Sequence, residues 1–140
     1  MDGLSIALSV AGLASQALGV TQLLHGYCTD VKSALKDAKN LAQEAETLGK
    51  VLKQLEMFLN EDSNGTHFHQ TASVLACTVD ACRATLSDLE TGLKASGKDG
   101  VGKIMGRLMW PFRKQQVQNM VECLKRYNQI FQFSLSIEGW

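Results

Sequence analysis

Apolar residues recur at alternating intervals of three and four along most of the chain, the spacing that lays a single stripe along an α-helix. Over about 31–59 the stripe is Val31, Leu35, Ala38, Ala42, Ala45, Leu48, Leu52, Leu55 and Leu59, with Lys and Glu on the other positions. Asn60 to Thr66 is dense in turn formers and closes that helix. A second stripe, Phe68, Ala72, Leu75, Val79, Cys82, Leu86, Leu89 and Leu93, predicts a helix over about 67–94 that ends in the glycine-rich segment 95–103. Ile104 to Trp110 predicts a short helical segment over about 103–110. Pro111 suits the first position of another helix, where its missing N–H leaves nothing unpaired. Val117, Met120, Leu124, Tyr127, Phe131 and Leu135 carry that helix over about 111–137. Long helices joined by short polar loops favour antiparallel neighbours. The chain therefore reads as all-α, a single domain over 1–140 built as an antiparallel four-helix bundle.

The first helix, over about 3–28, differs from the rest. Ile6, Val10, Leu13, Ala17, Val20 and Leu24 form one seam, yet Leu4, Leu8 and Leu18 face elsewhere, and no charge falls between Gly3 and Thr29. A helix apolar over most of its surface is either central to a bundle or able to enter a membrane. Gly3, Ala7, Ala11, Ser15 and Gly19 add a flank of small residues four apart, a pattern that lets helix backbones approach closely, as in membranes. As a permanent span the segment is poor: Gln16, Gln22, His25 and the serines hold its best window to a mean hydropathy of about 1.4. Two readings stand, a core helix of a soluble bundle and a conditional helix that is packed in one state and membrane-bound in another.

Charge sharpens this contrast. The 14 basic and 14 acidic residues cancel over the 140 positions, but they are not evenly spread. Residues 1–29 carry only Asp2, residues 30–92 have a net charge of −4, and residues 93–140 have +5. Lys94, Lys98, Lys103, Arg107, Arg113 and Lys114 stand against Asp99 alone, with Met105, Leu108, Met109, Trp110 and Phe112 interleaved. Basic residues mixed with bulky apolar ones suit an anionic membrane surface. The competing reading is a solubilising loop whose aromatics anchor the last helix, and no nucleic-acid recognition motif accompanies the patch. Cys28, Cys77, Cys82 and Cys123 lie in apolar stretches and read as reduced core thiols of a cytosolic protein. Asp2 stands where a signal peptide would carry a basic residue, so Asn64-Gly65-Thr66 reads as a turn and not as a glycosylation site.

The opening Met1-Asp2-Gly3-Leu4-Ser5-Ile6-Ala7, with Ser9-Val10-Ala11-Gly12-Leu13 and Val20-Thr21-Gln22-Leu23, resembles the start of the N-terminal domains of fungal STAND proteins, the NLR-like NACHT NTPases. Trp110-Pro111-Phe112 and the helix with Val117, Leu124 and Tyr127 resemble the closing helix of the same domains. The resemblance runs from 1 to about 137 and implies a HeLo-like bundle, the group that includes the SesA and HeLo domains. Members of that group are regarded as executors of cell death in heterokaryon incompatibility and innate immunity. The resemblance further implies a domain that oligomerises on activation, permeabilises membrane through its N-terminal helix, and answers to an NLR-type sensor in cis or in trans. No NACHT module follows within these 140 residues.

Other chemistry is weakly supported. Gly97-Lys98-Asp99-Gly100-Val101-Gly102-Lys103 fits the first part of a phosphate-binding loop, but Ile104 replaces the Ser or Thr that would hold magnesium and a helix replaces the preceding strand. His67, His69, Cys77 and Cys82 include possible zinc ligands, yet five helical residues separate the cysteines by about 500° of rotation, so they diverge. Asp37, Glu44, Glu46 and Glu56 sit beside Lys36, Lys39, Lys50 and Lys53 at spacings typical of solvated helix faces. The sequence is therefore expected to be a non-enzyme without cofactor or metal. Its expected function is a cytoplasmic cell-death effector that relocates to the plasma membrane. The membrane-targeting residues would be Gly3, Leu4, Ile6, Ala7, Leu8, Val10, Ala11, Gly12, Leu13, Ser15 and Gly19. Lys94, Lys98, Lys103, Arg107, Trp110, Arg113 and Lys114 would meet anionic headgroups, and the expected partners are further copies of itself and lipid, not nucleic acid. A non-membrane adaptor or homotypic interaction domain is the alternative.

Overall fold

The computed structural model describes residues 3–30, 35–61, 72–98, 103–104, 107–108 and 111–138. Four helices, α1 (Gly3–Asp30), α2 (Leu35–Glu61), α3 (Ala72–Lys98) and α4 (Lys114–Glu138), form the bundle, with strands β1 (Lys103–Ile104) and β2 (Arg107–Leu108) between the last two. Each helix buries its periodic stripe. Leu13, Leu24, Leu48, Leu52, Leu86, Leu89 and Phe131 lie fully inside one continuous core, whose burial is the main force holding the helices together.

α1 packs most extensively against α2 and also against α3, while α4 closes the bundle against α2 and α3. The α1–α2 seam is lined by small residues, Ala14 and Ala17 on one side and Ala38, Ala42 and Ala45 on the other, all buried. A Cβ at Gly49 would stand 3.9 Å from that of Ala17, an ordinary contact. Hydrogen bonds set the relative levels of the helices. Tyr27 Oη donates to the Leu93 carbonyl (2.9 Å) and an Arg83 guanidinium N–H reaches the Ser9 carbonyl (3.4 Å), so α1 and α3 run the same way. Tyr127 meets Thr85 (Oη to Oγ1, 2.9 Å), while Phe112 lies beside Gly92, so α4 runs opposite to α3. One end of the bundle thus holds the start of α1, the end of α2, the start of α3 and the end of α4.

The structure revises three expectations from the sequence. Of the segment expected to be helical over 103–110, the described residues form strands: Lys103 pairs with Leu108 and Ile104 with Arg107 in an antiparallel ladder. Gly102 and Gly106 weaken a helix there by about 1 kcal/mol each relative to alanine. α4 begins at Lys114, not at Pro111, because the Arg113 N–H donates to Gln116 Oε1 (2.8 Å) and the Arg113 carbonyl accepts from the Val117 N–H (3.0 Å), the side-chain half of a capping box. α3 runs on past 94 to Lys98. The expected starts of the second and third helices, 31–34 and 67–71, lie outside the described residues.

Candidate functional site

Among the described residues, α1 is the one helix whose outward face is as free of charge as its inward face. Ile6, Ala7, Val10 and Leu13 of the expected membrane-targeting set are buried in the core, Ala11 is half-buried, and Leu8, Gly12, Ser15 and Gly19 are exposed. Gly3 and Leu4 belong to the first turn of α1, but their side chains lie outside the described ones. Leu8 is 69% and Leu18 58% exposed, on a face that also carries Gln22 but no Lys, Arg, Asp or Glu. The outward faces of α2 and α3 differ in carrying Lys36, Lys39, Lys50, Asp80, Arg83 and Asp88. The segment Ile6–Cys28 is long and apolar enough to cross a membrane, and 44% of its best window is buried in the bundle.

Of the row Gly3, Ala7, Ala11, Ser15 and Gly19, Ala7 is buried in the core and Ala11 half-buried, but the row does not continue as a helix-packing seam. Ser15 and Gly19 face solvent, and nothing stands within 4 Å of a Cβ built at Gly12 or Gly19. Between α1 and α2 an open groove of about 540 Å³ is lined by Ala14, Ser15, Leu18, Thr21, Ala45 and Gly49, with Glu46, Lys50, Lys53 and Gln54 at its rim. Its polar rim is largely self-compensated, since Lys50 pairs with Glu46 and Lys53 with Glu56, both at 3.6 Å.

The basic residues gather at the other end from the first turns of α1. Lys94 is in the last part of α3 and pairs with Glu90 (2.6 Å), Lys103 and Arg107 lie in the β-ladder, and Arg113 and Lys114 are exposed where α4 begins. Lys98 ends α3, its side chain outside those described, and Trp110 lies outside the described residues. α1 spans roughly 40 Å at 1.5 Å per residue, so its start and this basic group do not share one surface. At the α1-start end stand other exposed apolar side chains that the stripes left unassigned: Met57, Val74, Phe133 and Ile137. The sequence signal for them is an apolar residue off the stripe near a helix end, and α4 is also without charge from Tyr127 to Ile137.

The remaining chemistry stays separated. The phosphate-loop match begins in α3 and ends in β1, a helix-to-strand order opposite to that of a phosphate-binding loop. Cys82 is fully buried, and burial pushes its thiol up to about 12. Cys77 on the same helix is exposed, so it is not the core thiol the sequence suggested, whereas Cys28 and Cys123 are half-buried; all four are free. His67 and His69 lie outside the described residues, and among the described ones no group of His, Cys, Asp and Glu could hold a metal ion.

A family model for the N-terminal region of pigment biosynthesis cluster protein PigL matches residues 1–136. No curated protein and no solved structure matches the chain. The match spans all four helices and agrees with the resemblance at the level of a fungal N-terminal helical domain of HeLo-like type, without the STAND assignment. From its first residue to the last turns of α4, the chain belongs to the family of PigL N-terminal domains.

Proposed function

We propose that this domain is an effector of regulated cell death, of the type carried at the N-terminus of fungal NLR-like proteins, and that it acts at membranes through α1. In this reading the bundle is held in the cytoplasm, oligomerises when an NLR-type sensor in cis or in trans is triggered, and relocates to the plasma membrane. It performs no catalysis and needs no cofactor. One observation carries the reading: α1 keeps a charge-free outward face with Leu8 and Leu18 in solvent. Solvent faces of bundle helices ordinarily carry charged side chains, as those of α2 and α3 do, and exposed apolar faces mark interaction sites.

The direct test is leakage from dye-loaded vesicles, with Gly12→Asp and Leu18→Asp as probes. Both positions face solvent, and a side chain at 12 meets open space, so neither change disturbs the core. Leakage by the parent domain and its loss in these folded variants is the expected result; no leakage even after forced oligomerisation refutes the membrane role. The alternative of a helical adaptor draws on the burial of Ile6, Val10 and Leu13, which ties α1 into the bundle. A fluorescent fusion that stays in the cytosol after activation would favour it.

A further inference from the structure

We propose that the intact bundle first meets the membrane end-on, through a collar of apolar side chains contributed by all four helices, and that this collar selects an uncharged lipid interface. The inference rests on the membrane reading above and adds the contact surface and the lipid class. Its members are Leu8 near the start of α1, Met57 near the end of α2, Val74 at the start of α3, and Phe133 and Ile137 in the last turns of α4. The alternation of helix directions brings these four termini to one end. Of the large exposed apolar side chains of the described residues, five stand at this end, and Leu18, midway along α1, is the exception.

Charge identifies the occupant. No charged residue lies between Gly3 and Thr29 or between Tyr127 and Ile137. The basic side chains described near this end are Lys53, paired with Glu56 at 3.6 Å, and Arg83, which reaches the Ser9 carbonyl at 3.4 Å. Asp80, exposed in the third turn of α3, balances Arg83. A surface without net positive charge gains nothing from anionic headgroups, whose attraction acts through Lys and Arg. The area points the same way. Five side chains at these exposures offer roughly 500 Å², short of the ~800 Å² per partner of a standard protein interface. They are also spread over four helix ends, where a partner protein would need a matching shape. A fluid lipid interface needs no matching shape, and apolar side chains gain by burial in it in proportion to area.

The experiment is vesicle flotation of the full chain with phosphatidylcholine alone and with phosphatidylglycerol added, at low and high salt. The proteins compared are the parent, Phe133→Ser, Met57→Ser and, as the control, Gln118→Ser. All three positions are exposed, and the thermal transition of each variant reports its folding. The expected result is binding to phosphatidylcholine that is insensitive to salt and weakened about tenfold by Phe133→Ser or Met57→Ser, with Gln118→Ser, on the opposite half of α4, binding as the parent does. Binding that requires phosphatidylglycerol and is lost in high salt overturns the collar and leaves the membrane reading standing. So does binding that the collar variants leave unchanged. Absence of binding to either vesicle overturns both, and a dimer in lipid-free solution that Phe133→Ser dissolves reassigns the collar to a second copy.

Discussion

Asn128 lies in the middle of α4 with 5% of its surface exposed, and neither Nδ2 nor Oδ1 has a hydrogen-bond partner among the described residues. Replacing it by leucine, a side chain of similar size, should stabilise the bundle. A buried polar group left without a partner costs about 1–3 kcal/mol, and an apolar side chain buried in its place contributes about 1.5–3 kcal/mol. The branched end of leucine must find room beside Leu124 and Phe131, which are both fully buried, and that repacking costs about 1–2 kcal/mol. The net expectation is a gain of about 3 kcal/mol, within bounds of about 0.5–5 kcal/mol. At about 4 °C per kcal/mol for a domain of this length, the central value raises the midpoint by about 12 °C. Thermal and urea unfolding followed by circular dichroism measure it, with an unchanged urea slope showing that the denatured state is the same. Asn128→Asp supplies the opposite sign, because a carboxylate there is desolvated without a partner. If Asn128→Leu is no more stable than the parent, the amide is satisfied in solution, as by an internal water, and position 128 carries no uncompensated polar group.

The glycines give a paired test by urea denaturation. Gly12→Ala and Gly19→Ala, with nothing within 4 Å of the added carbon, should each stabilise by about 0.5–1 kcal/mol; Gly92→Ala should not, since its Cβ would stand 2.8 Å from two ring carbons of Phe112. Tyr27→Phe removes the 2.9 Å hydrogen bond to the Leu93 carbonyl and should cost about 1 kcal/mol in the same assay. Alkylation followed by mass spectrometry should label Cys77 in the native protein and Cys82 only after unfolding, given their opposite exposure. The Cys82 thiol is raised by burial from 9.0 to about 12, so the folded state holds that proton more tightly than the unfolded one. The corresponding stability is complete below pH 9 and is lost as pH rises towards 12, and Cys82→Ala should flatten that part of an alkaline unfolding curve.

The stripes of α2 and α3 were legible because polar and charged residues mark the opposite face, Lys50, Lys53 and Gln54 on α2 and Asp80, Arg83, Ser87 and Asp88 on α3, which leaves one face to bury. The inward seam of α1 was legible too: Ile6, Val10, Leu13, Ala17, Val20 and Leu24 are all buried. Its small residues were not. A helix without charge offers no polar face to say which flank is turned outward, and the packing falls to Ala14 and Ala17 rather than to Ser15 and Gly19. Asn128 and Ser134 entered the core although side-chain polarity argued against it, because their neighbours Leu124 and Phe131 fix the face of α4. Over 103–110 an apolar run too short to show a period allowed helix and strand alike, and the flanking glycines favour the ladder that forms.

The placement of the candidate residues follows from chain order once helix direction is included. The end of α3 and the start of α4 lie at the end where α1 finishes and α2 begins, as Tyr27 bonding to Leu93 and Phe112 beside Gly92 show. The charge-free stretch of α4 from Tyr127 to Ile137 must return to the end where α1 starts. A charge distribution along the sequence thereby becomes a polarity along the bundle axis, basic at one end and apolar at the other. A reading that joins the basic residues to the first turns of α1 in one lipid-binding face requires α1 to leave the bundle, exposing Ile6, Val10 and Leu13. A reading that begins at the apolar end requires no such opening. On the proposed membrane reading, end-on contact therefore comes first, and release of α1 would follow it at the membrane, where exposing Ile6, Val10 and Leu13 carries a smaller penalty than in water.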